Sequence, residues 1–287
     1  MKSSFMAYLL LLPGVGVIVL AMGAVLGMAF SQSLGFFNFA GDSAFSLRFW
    51  QVMLADEQLW RSFFYSARIA LFSAVLSVAL AYPLAIWLRK PFPGAITLRA
   101  VLKAPLLVPG LTAAFLFVNF ISYQGFLNVA MLRLGITERP IRMQNDANGI
   151  GVILLQIWKQ MPFALLLVSG SVQAIGETVL EAARNLGAGV WVRFWRIVLP
   201  LTLRALQTAM MLIFIGAAGD FSFQSVAGPV NLNSMSQLML RVQQSGSDGW
   251  NQAAVVAVML MLLSLVGAGL LAMAAGAVVR GISGIRR

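Results

Sequence analysis

Few side chains in this sequence can do chemistry, and their types narrow the choices sharply. Histidine and cysteine are both absent. That removes imidazole bases, thiolate nucleophiles, disulfides and the usual zinc ligand sets. None of the four lysines follows a glycine, so no phosphate-cradling G-x-x-x-x-G-K-[ST] loop is present for hydrolysing ATP within the chain. Gly219-Asp220 superficially suits an intramembrane aspartyl protease, but no second acid lies in an apolar run to share a proton. Ser169-Gly170-Ser171 has no base beside it and suits small-residue packing near a helix end. What remains is charge in costly places. Lys159 and Asp220 stand inside or at the edge of apolar runs, where an ionised group costs from about 2.5 to more than 10 kcal/mol. Two readings of Asp220 stand: it lines a solute path and attracts a cationic group, or it caps a break at Gly216–Gly219 or pairs with Lys159. Asn119, Ser122, Gln124, Gln156 and Gln224 are candidate polar neighbours, with Gln156 and Lys159 on one helix face near Gln160. Isolated amides also knit membrane helices together without touching solute.

A second polar island runs from Thr178 to Pro200. Thr178-Val179-Leu180-Glu181 has the spacing of a capping box, with Thr178 as N-cap and Glu181 reaching back to its amide. Ala182, Ala183, Arg184 and Leu186 are good helix formers, and Gly187 is suited to a left-handed stop. A further amphipathic stretch, Val190 to Val198, carries Arg193 and Arg196 among Trp191, Phe194, Trp195 and Ile197 until Pro200 punctuates it. The expectation is two short helices joined at Gly187, a knob shaped to fit a groove on a partner.

The elements that must position these residues are membrane spans. Hydrophobic residues make up 60% of the 287 and charged residues 10%, too little polarity to cover a soluble surface. Apolar runs of spanning length fall at about 8–30, 66–88, 102–121, 149–170, 203–223 and 253–279. Six spans predict an all-α integral membrane protein forming one transmembrane domain over residues 1–287, with the polar loop at about 171–202. The first run follows Lys2 but is too long for a signal-peptide core, so it is expected to remain as a helix. Tyr82-Pro83, Pro105, Pro109-Gly110 and Pro162 fall within spans, as packing kinks or as breaks of the kind that line protein-enclosed or watery places. Phe45, Leu47, Phe49, Trp50, Leu54, Leu59 and Trp60, between the first two spans, suit one or two interfacial helices anchored by aromatic residues. That surface has a second reading, as a place that receives an outer partner.

The net charge of +11 does not point to nucleic acid, because the basic residues lie at span ends rather than in one patch. Lys2, Arg89, Lys90, Arg99, Lys103, Arg184, Arg193, Arg196, Arg204, Arg280, Arg286 and Arg287 fall on one side. Arg48, Arg61, Arg133, Arg139, Arg142 and Arg241 fall on the other, near Asp42, Asp56, Glu57, Glu138, Asp146 and Asp248. The richer side is expected to be cytoplasmic, with both termini and the Glu181 loop on it.

The spacing E-A-A, three residues, G, nine residues, I-x-L-P is met by Glu181, Ala182, Ala183, Gly187, Ile197, Leu199 and Pro200. It resembles the signature loop of permease subunits of type I ATP-binding-cassette (ABC) importers. Within them the chain looks most like the polyamine branch, with thiamine, ferric iron and organophosphonate importers nearby. That likeness rests on Ala81-Tyr82-Pro83-Leu84-Ala85, on Leu180 to Ala188, and on Gly219-Asp220-Phe221 leading to Gly228-Pro229. The resemblance implies a MetI-like architecture in a bacterial inner membrane. It also implies a second permease subunit, homologous or identical, two cytoplasmic ATPases that use ATP and magnesium, and a periplasmic or extracellular solute-binding protein. The permease itself would hold no cofactor and no metal. The loop would dock on the ATPase, with Glu181 on a basic residue, Ala182 and Ala183 permitting close approach and Gly187 setting the bend. Asp220, Lys159, Gln156, Asn119 and Gln224 are the candidate residues of the solute path. The alternatives are a carrier driven by an ion gradient, with Lys159 and Asp220 as its coupling pair, and a membrane assembly factor without solute flux.

Overall fold

A computed structural model describes residues 2–38 and 43–283. Asp42, Arg286, Arg287 and the side chain of Lys2 lie outside the described residues. All regular structure among them is helical: α1 (Lys2–Ser33), α2 (Arg48–Ala55), α3 (Glu57–Trp87), α4 (Ala95–Leu107), α5 (Gly110–Ile121), α6 (Phe126–Arg133), α7 (Ile150–Gln173), α8 (Glu177–Asn185), α9 (Val190–Arg193), a π-helical turn (Phe194–Val198), α10 (Leu199–Ala218), α11 (Ser222–Ala227), α12 (Met235–Gln243) and α13 (Gly249–Ser283). Among the described residues, six stretches are long and apolar enough to cross a membrane: Pro13–Ser33, Glu57–Trp87, Gly110–Arg133, Ile150–Gln173, Val190–Ala218 and Gly249–Gly281. The fifth begins well before the predicted 203 and ends at Ala218, which leaves Asp220 just beyond it.

The chain divides into two compact units. In the first, residues 1–60 and 238–261, α1 from Pro13 onward exposes most of its apolar side chains, as a lipid-facing helix would. Its end is pinned by hydrogen bonds. Asn251 donates to Gln32 O at 2.7 Å, and Trp50 Nε1 donates to Ser33 Oγ at 3.3 Å. Trp60 Nε1 donates to Leu54 O at 2.9 Å, so the expected interfacial helix between the first two spans is present as α2, held by an aromatic residue.

The second unit, residues 61–237 and 262–287, holds the polar loop and the ionisable residues. Tyr65, Ile69, Ala113, Ala114, Val118, Val152, Leu155, Phe223 and Ala227 form a core in which alanines let helices come close. The buried Tyr82 and Thr202 hydroxyls are 2.8 Å apart and tie α3 to α10, and Gln207 Nε2 donates to Ala272 O of α13 at 2.8 Å. Helix α7 lies at the centre, packed against α4, α5, α10 and α11. Its start is built with care. Gly149 turns with φ +67°, and a Cβ there would lie 2.6 Å from Ile69 Cδ1, so only glycine fits. Asp146 then accepts from the amides of Asn148 (3.2 Å), Ile150 (2.8 Å) and Gly151 (3.2 Å), a carboxylate at the positive end of the helix.

Helices α3 and α7 run through Pro83 and Pro162 without interruption, as kinks at most. Only the Pro105–Pro109 stretch coincides with a break, where α4 ends at Leu107 and α5 begins at Gly110.

The Asp146 cap is directly testable. Asp146→Ala is expected to lower stability in detergent by about 1–2 kcal/mol and to speed amide exchange over residues 148–152, while Asp146→Asn loses less. Unchanged exchange there would show that the cap does not hold α7.

Candidate functional site: a capped loop and two helix breaks

Helix α8 starts two residues earlier than the capping-box spacing predicts. Its N-cap is Gly176, not Thr178, and no side chain caps it. The reason lies 86 residues upstream. Arg89 donates to Ile175 O at 2.5 Å and pairs with Glu177 Oε1 at 3.2 Å. Together these fix the entry and place an acid in the first turn, where the helix dipole favours it. Thr178 is thereby drawn into the helix, and Glu181 has no N-cap amide to reach back to.

The other end follows expectation. Gly187 takes φ +79°, its N–H donates to Arg184 O at 2.9 Å, and Ala188 N–H donates to Ala183 O at 3.0 Å. These paired bonds make a Schellman closure, which needs a left-handed residue at Gly187. Pro200, by contrast, does not end the second half of the loop. The chain runs from α9 through the π-turn into α10, with Pro200 at its start. Leu199 N–H reaches back five residues to Phe194 O. The wider turn accommodates a proline that has no N–H and would crowd the carbonyl four residues before it.

The loop surface is uncovered. No residue of α8 is buried, and Leu186, Val190 and Trp191 are 88%, 71% and 74% exposed. Glu181 and Ala182 are exposed, Ala183 is half-buried, and Ile197, Leu199 and Pro200 turn inward towards the span.

The five candidate pathway residues separate by role. Lys159 donates to Pro105 O at 2.6 Å, to Leu106 O at 3.5 Å, and to Val108 O. Its ammonium closes the C-terminal end of α4 at the break, where orphan carbonyls and the negative end of the dipole favour a cation. Asp220 sits at the other break, between α10 and α11. Its Oδ2 accepts from Phe223 N–H at 3.0 Å, and its backbone carbonyl accepts from Ser236 Oγ at 2.8 Å. Asp220 caps the start of α11, while Gly216 stays helical within α10, so the break follows Ala218 rather than spanning Gly216–Gly219, and no ion pair joins Asp220 to Lys159 among the described residues. The two breaks adjoin: a Cβ on Gly110, first in α5, would lie 3.7 Å from Ser222 Oγ, first in α11.

Gln224 is buried on α11 and accepts from Tyr65 Oη at 2.9 Å. Gln156 is buried on α7, 1% exposed, with its Oε1 unpaired. Asn119 is exposed and donates to Phe115 O of its own helix at 3.0 Å, so it is not gathered with the others. Sequence reasoning passed over Tyr65 and gave Arg89 only a role in charge bias. Neither carries a local pattern that announces a long-range hydrogen bond. No group of three or more acids able to hold a metal ion occurs among the described residues.

Comparison with known proteins agrees with this architecture. A family model described as "binding-protein-dependent transport system inner membrane component" matches residues 77–279. The chain is 28% identical over 214 residues to the spermidine/putrescine transport system permease protein PotB of Salmonella typhimurium (strain SL1344), covering 73% of this chain and 72% of that one. Its fold matches a chain in the crystal structure of a bacterial ABC transporter that imports the acidic polysaccharide alginate, with TM-score 0.70 over 98% of this chain and 97% of the other at 16% identity. A structure of a bacterial alginate ABC transporter with its pentasaccharide-bound periplasmic protein matches with TM-score 0.69 over 98% and 96%, at 18% identity.

Replacing Lys159 with Met is expected to strip the α4 carbonyls of their donor. Hydrogen bonds to a charged group contribute about 1.5–3 kcal/mol each, so the thermal midpoint in detergent should fall by several degrees. An unchanged midpoint would mean that the break is closed by other means.

Proposed function

From the premise that this chain belongs to the family of inner membrane components of binding-protein-dependent transport systems, we propose that it forms half of the translocation pathway of a polyamine-class importer. At the coarser level it is a multi-pass permease subunit of an ABC importer, a non-enzymatic transport part in the bacterial inner membrane. The observation that carries the finer mechanism is the loop: a rigid α8, a Schellman stop at Gly187, and Leu186, Val190 and Trp191 with no cover from their own chain. Apolar side chains fully open to water beside an unpaired acid, Glu181, suit a groove on a partner.

In this reading the loop lies in the cytoplasm with both termini, as the lysine and arginine bias requires. A pair of ATPase subunits, which use ATP and magnesium, receives it; this chain holds no cofactor. Glu181 meets a basic residue there, Ala182 and Ala183 allow close approach, and Gly187 fixes the angle. Ile197, Leu199 and Pro200 join the loop to α10, so movement of the loop is delivered to the span through the π-turn. A second permease, homologous or identical, completes the pathway, and a solute-binding protein delivers the solute from outside. The bundle then shifts between outward- and inward-open populations as nucleotide binds and leaves.

The polyamine class is favoured by the likeness to PotB and by Asp220, whose carboxylate stands at a helix break next to the start of α5. Lys159, Gln156, Gln224 and Asn119 are the further candidates to border that path. The alternative of an ion-gradient carrier needs Lys159 and Asp220 as a pair, and the two are engaged on separate helix ends.

In proteoliposomes holding the whole transporter, Gly187→Val is expected to cut uptake about tenfold or more, because a left-handed β-branched residue is strained. ATP hydrolysis should persist. Uptake that stays coupled would overturn the role of the bend, and uptake that follows an ion gradient without ATP would overturn the importer mechanism. Asp220→Asn keeps an oxygen to accept from Phe223 but removes the charge. It should slow uptake of a cationic solute by about tenfold, equivalent to about 1.4 kcal/mol. Full activity with unchanged solute preference would take Asp220 out of the path.

A further inference from the structure

Beside the loop lies a cleft of about 400 Å³ whose occupant the transport reading does not supply. Arg89, Lys90, Arg184 and Arg193 line it together with only two acids, Glu177 and Glu181. Arg89 is already committed to Ile175 O and Glu177. Lys90, Arg184 and Arg193 form no ion pair among the described residues, and the buried Nε of Arg193 has no hydrogen-bond acceptor. Three cations without ion pairs thus line a recess that holds only two carboxylates, and one of these cations, Arg193, keeps a buried donor unsatisfied beside it. Leaving a buried charged donor unpaired is expensive, which argues for an anion.

The rest of the lining says what kind of anion. Ile86, Val172 and Val198 come from the last turn of α3, the end of α7 and the start of the fifth span. The polar part of the cleft therefore sits where spans emerge from hydrocarbon, and its floor is apolar. A small soluble anion has no use for such a floor, whereas a phospholipid has a charged head and a greasy body that match both parts. Basic recesses between helix ends at this depth favour anionic headgroups, and a guanidinium offers paired donors to phosphate oxygens.

We infer that the cleft formed by the ends of α3 and α7 with α8 and α9 is a binding site for the phosphate headgroup of an anionic membrane phospholipid. Arg184 and Arg193 hold the phosphate, Lys90 adds charge at the rim, and the acyl chains pass along Ile86 and Val198. The inference needs only the membrane spans, so it is independent of the solute and of the transport mechanism. It also places a lipid contact on the same short helix as Glu181, so that bilayer composition bears on the loop.

The test is native mass spectrometry of the full chain released from nanodiscs of equal parts phosphatidylglycerol and phosphatidylcholine. Wild-type protein should retain phosphatidylglycerol preferentially. Each cation beside an anionic headgroup strengthens binding about fivefold, so Arg184→Gln with Arg193→Gln should weaken retention about twenty-five-fold. Arg184→Lys with Arg193→Lys should recover part of it, and Arg133→Gln, which removes a charge from α6, should retain as much as wild type. Recovery by the lysine variant excludes misfolding as the cause. Equal retention of the two lipids, or full retention by the double glutamine variant, would overturn the inference. Displacement of the lipid by millimolar inorganic phosphate would reassign the site to a free anion. Unchanged lipid retention with weakened recovery of an ATPase subunit would reassign it to protein docking.

Discussion

The ammonium of Lys159 on the carbonyls of Pro105, Leu106 and Val108 is the contact on which the interior of the larger unit depends. A helix that stops at the mouth of a membrane span leaves open carbonyls, and each that stays unpaired away from water costs several kcal/mol. Helix α4 does stop, at Leu107, and the chain restarts at Gly110. A cation carried by the neighbouring helix makes that stop tolerable. It satisfies carbonyls that would otherwise stay unpaired, and it does so at the end of the helix where the dipole is negative. Helix α7 is therefore more than a spacer, since it supplies the group that closes α4 just before the third span begins.

The second break obeys the same rule with the opposite sign. After α10 ends, the carboxylate of Asp220 meets the first amides of α11, at a positive helix end. Lys159, within the fourth span, and Asp220, just past the fifth, are thus each matched to a helix terminus rather than to one another. That explains how the chain carries both with no ion pair between them among the described residues. Under the proposed polyamine reading this sets a limit: the Asp220 carboxylate is already shared with a backbone amide, so a cationic solute would compete with a cap. A site that binds weakly enough to release is what transport requires.

How far the sequence disclosed this depends on how local each determinant is. Gly187 was legible because a left-handed stop is written in one residue type, and the E-A-A to I-x-L-P spacing was legible because it is a contiguous pattern. The Thr178 capping box was misleading for the opposite reason. Its spacing is correct, but Arg89, far away in the chain, engages Ile175 and Glu177 and sets a different start. Pro200 reads as a stop because proline removes one N–H, and no sequence rule signals that a five-residue π-turn will absorb it. The six apolar stretches were legible from composition, although their limits were not: Val190 to Val198 read as a separate short helix ending at Pro200, yet these residues continue as helix into α10. The charges of Lys159 and Asp220 were evident, but their partners are backbone atoms, which leave no trace in side-chain identity.

The π-turn at Phe194–Val198 has a geometric effect on everything that precedes it. A π-turn holds about one residue more than an α-turn, so the residues before it are rotated by roughly 100° relative to a continuous helix. Side chains spaced by four across the turn no longer share a face. The wide turn acts as a phase shifter between loop and span. The surface shown by Val190 and Trp191 and the face by which α10 packs on α7 are set by separate stretches of sequence, and each can drift in evolution without forcing the other to follow.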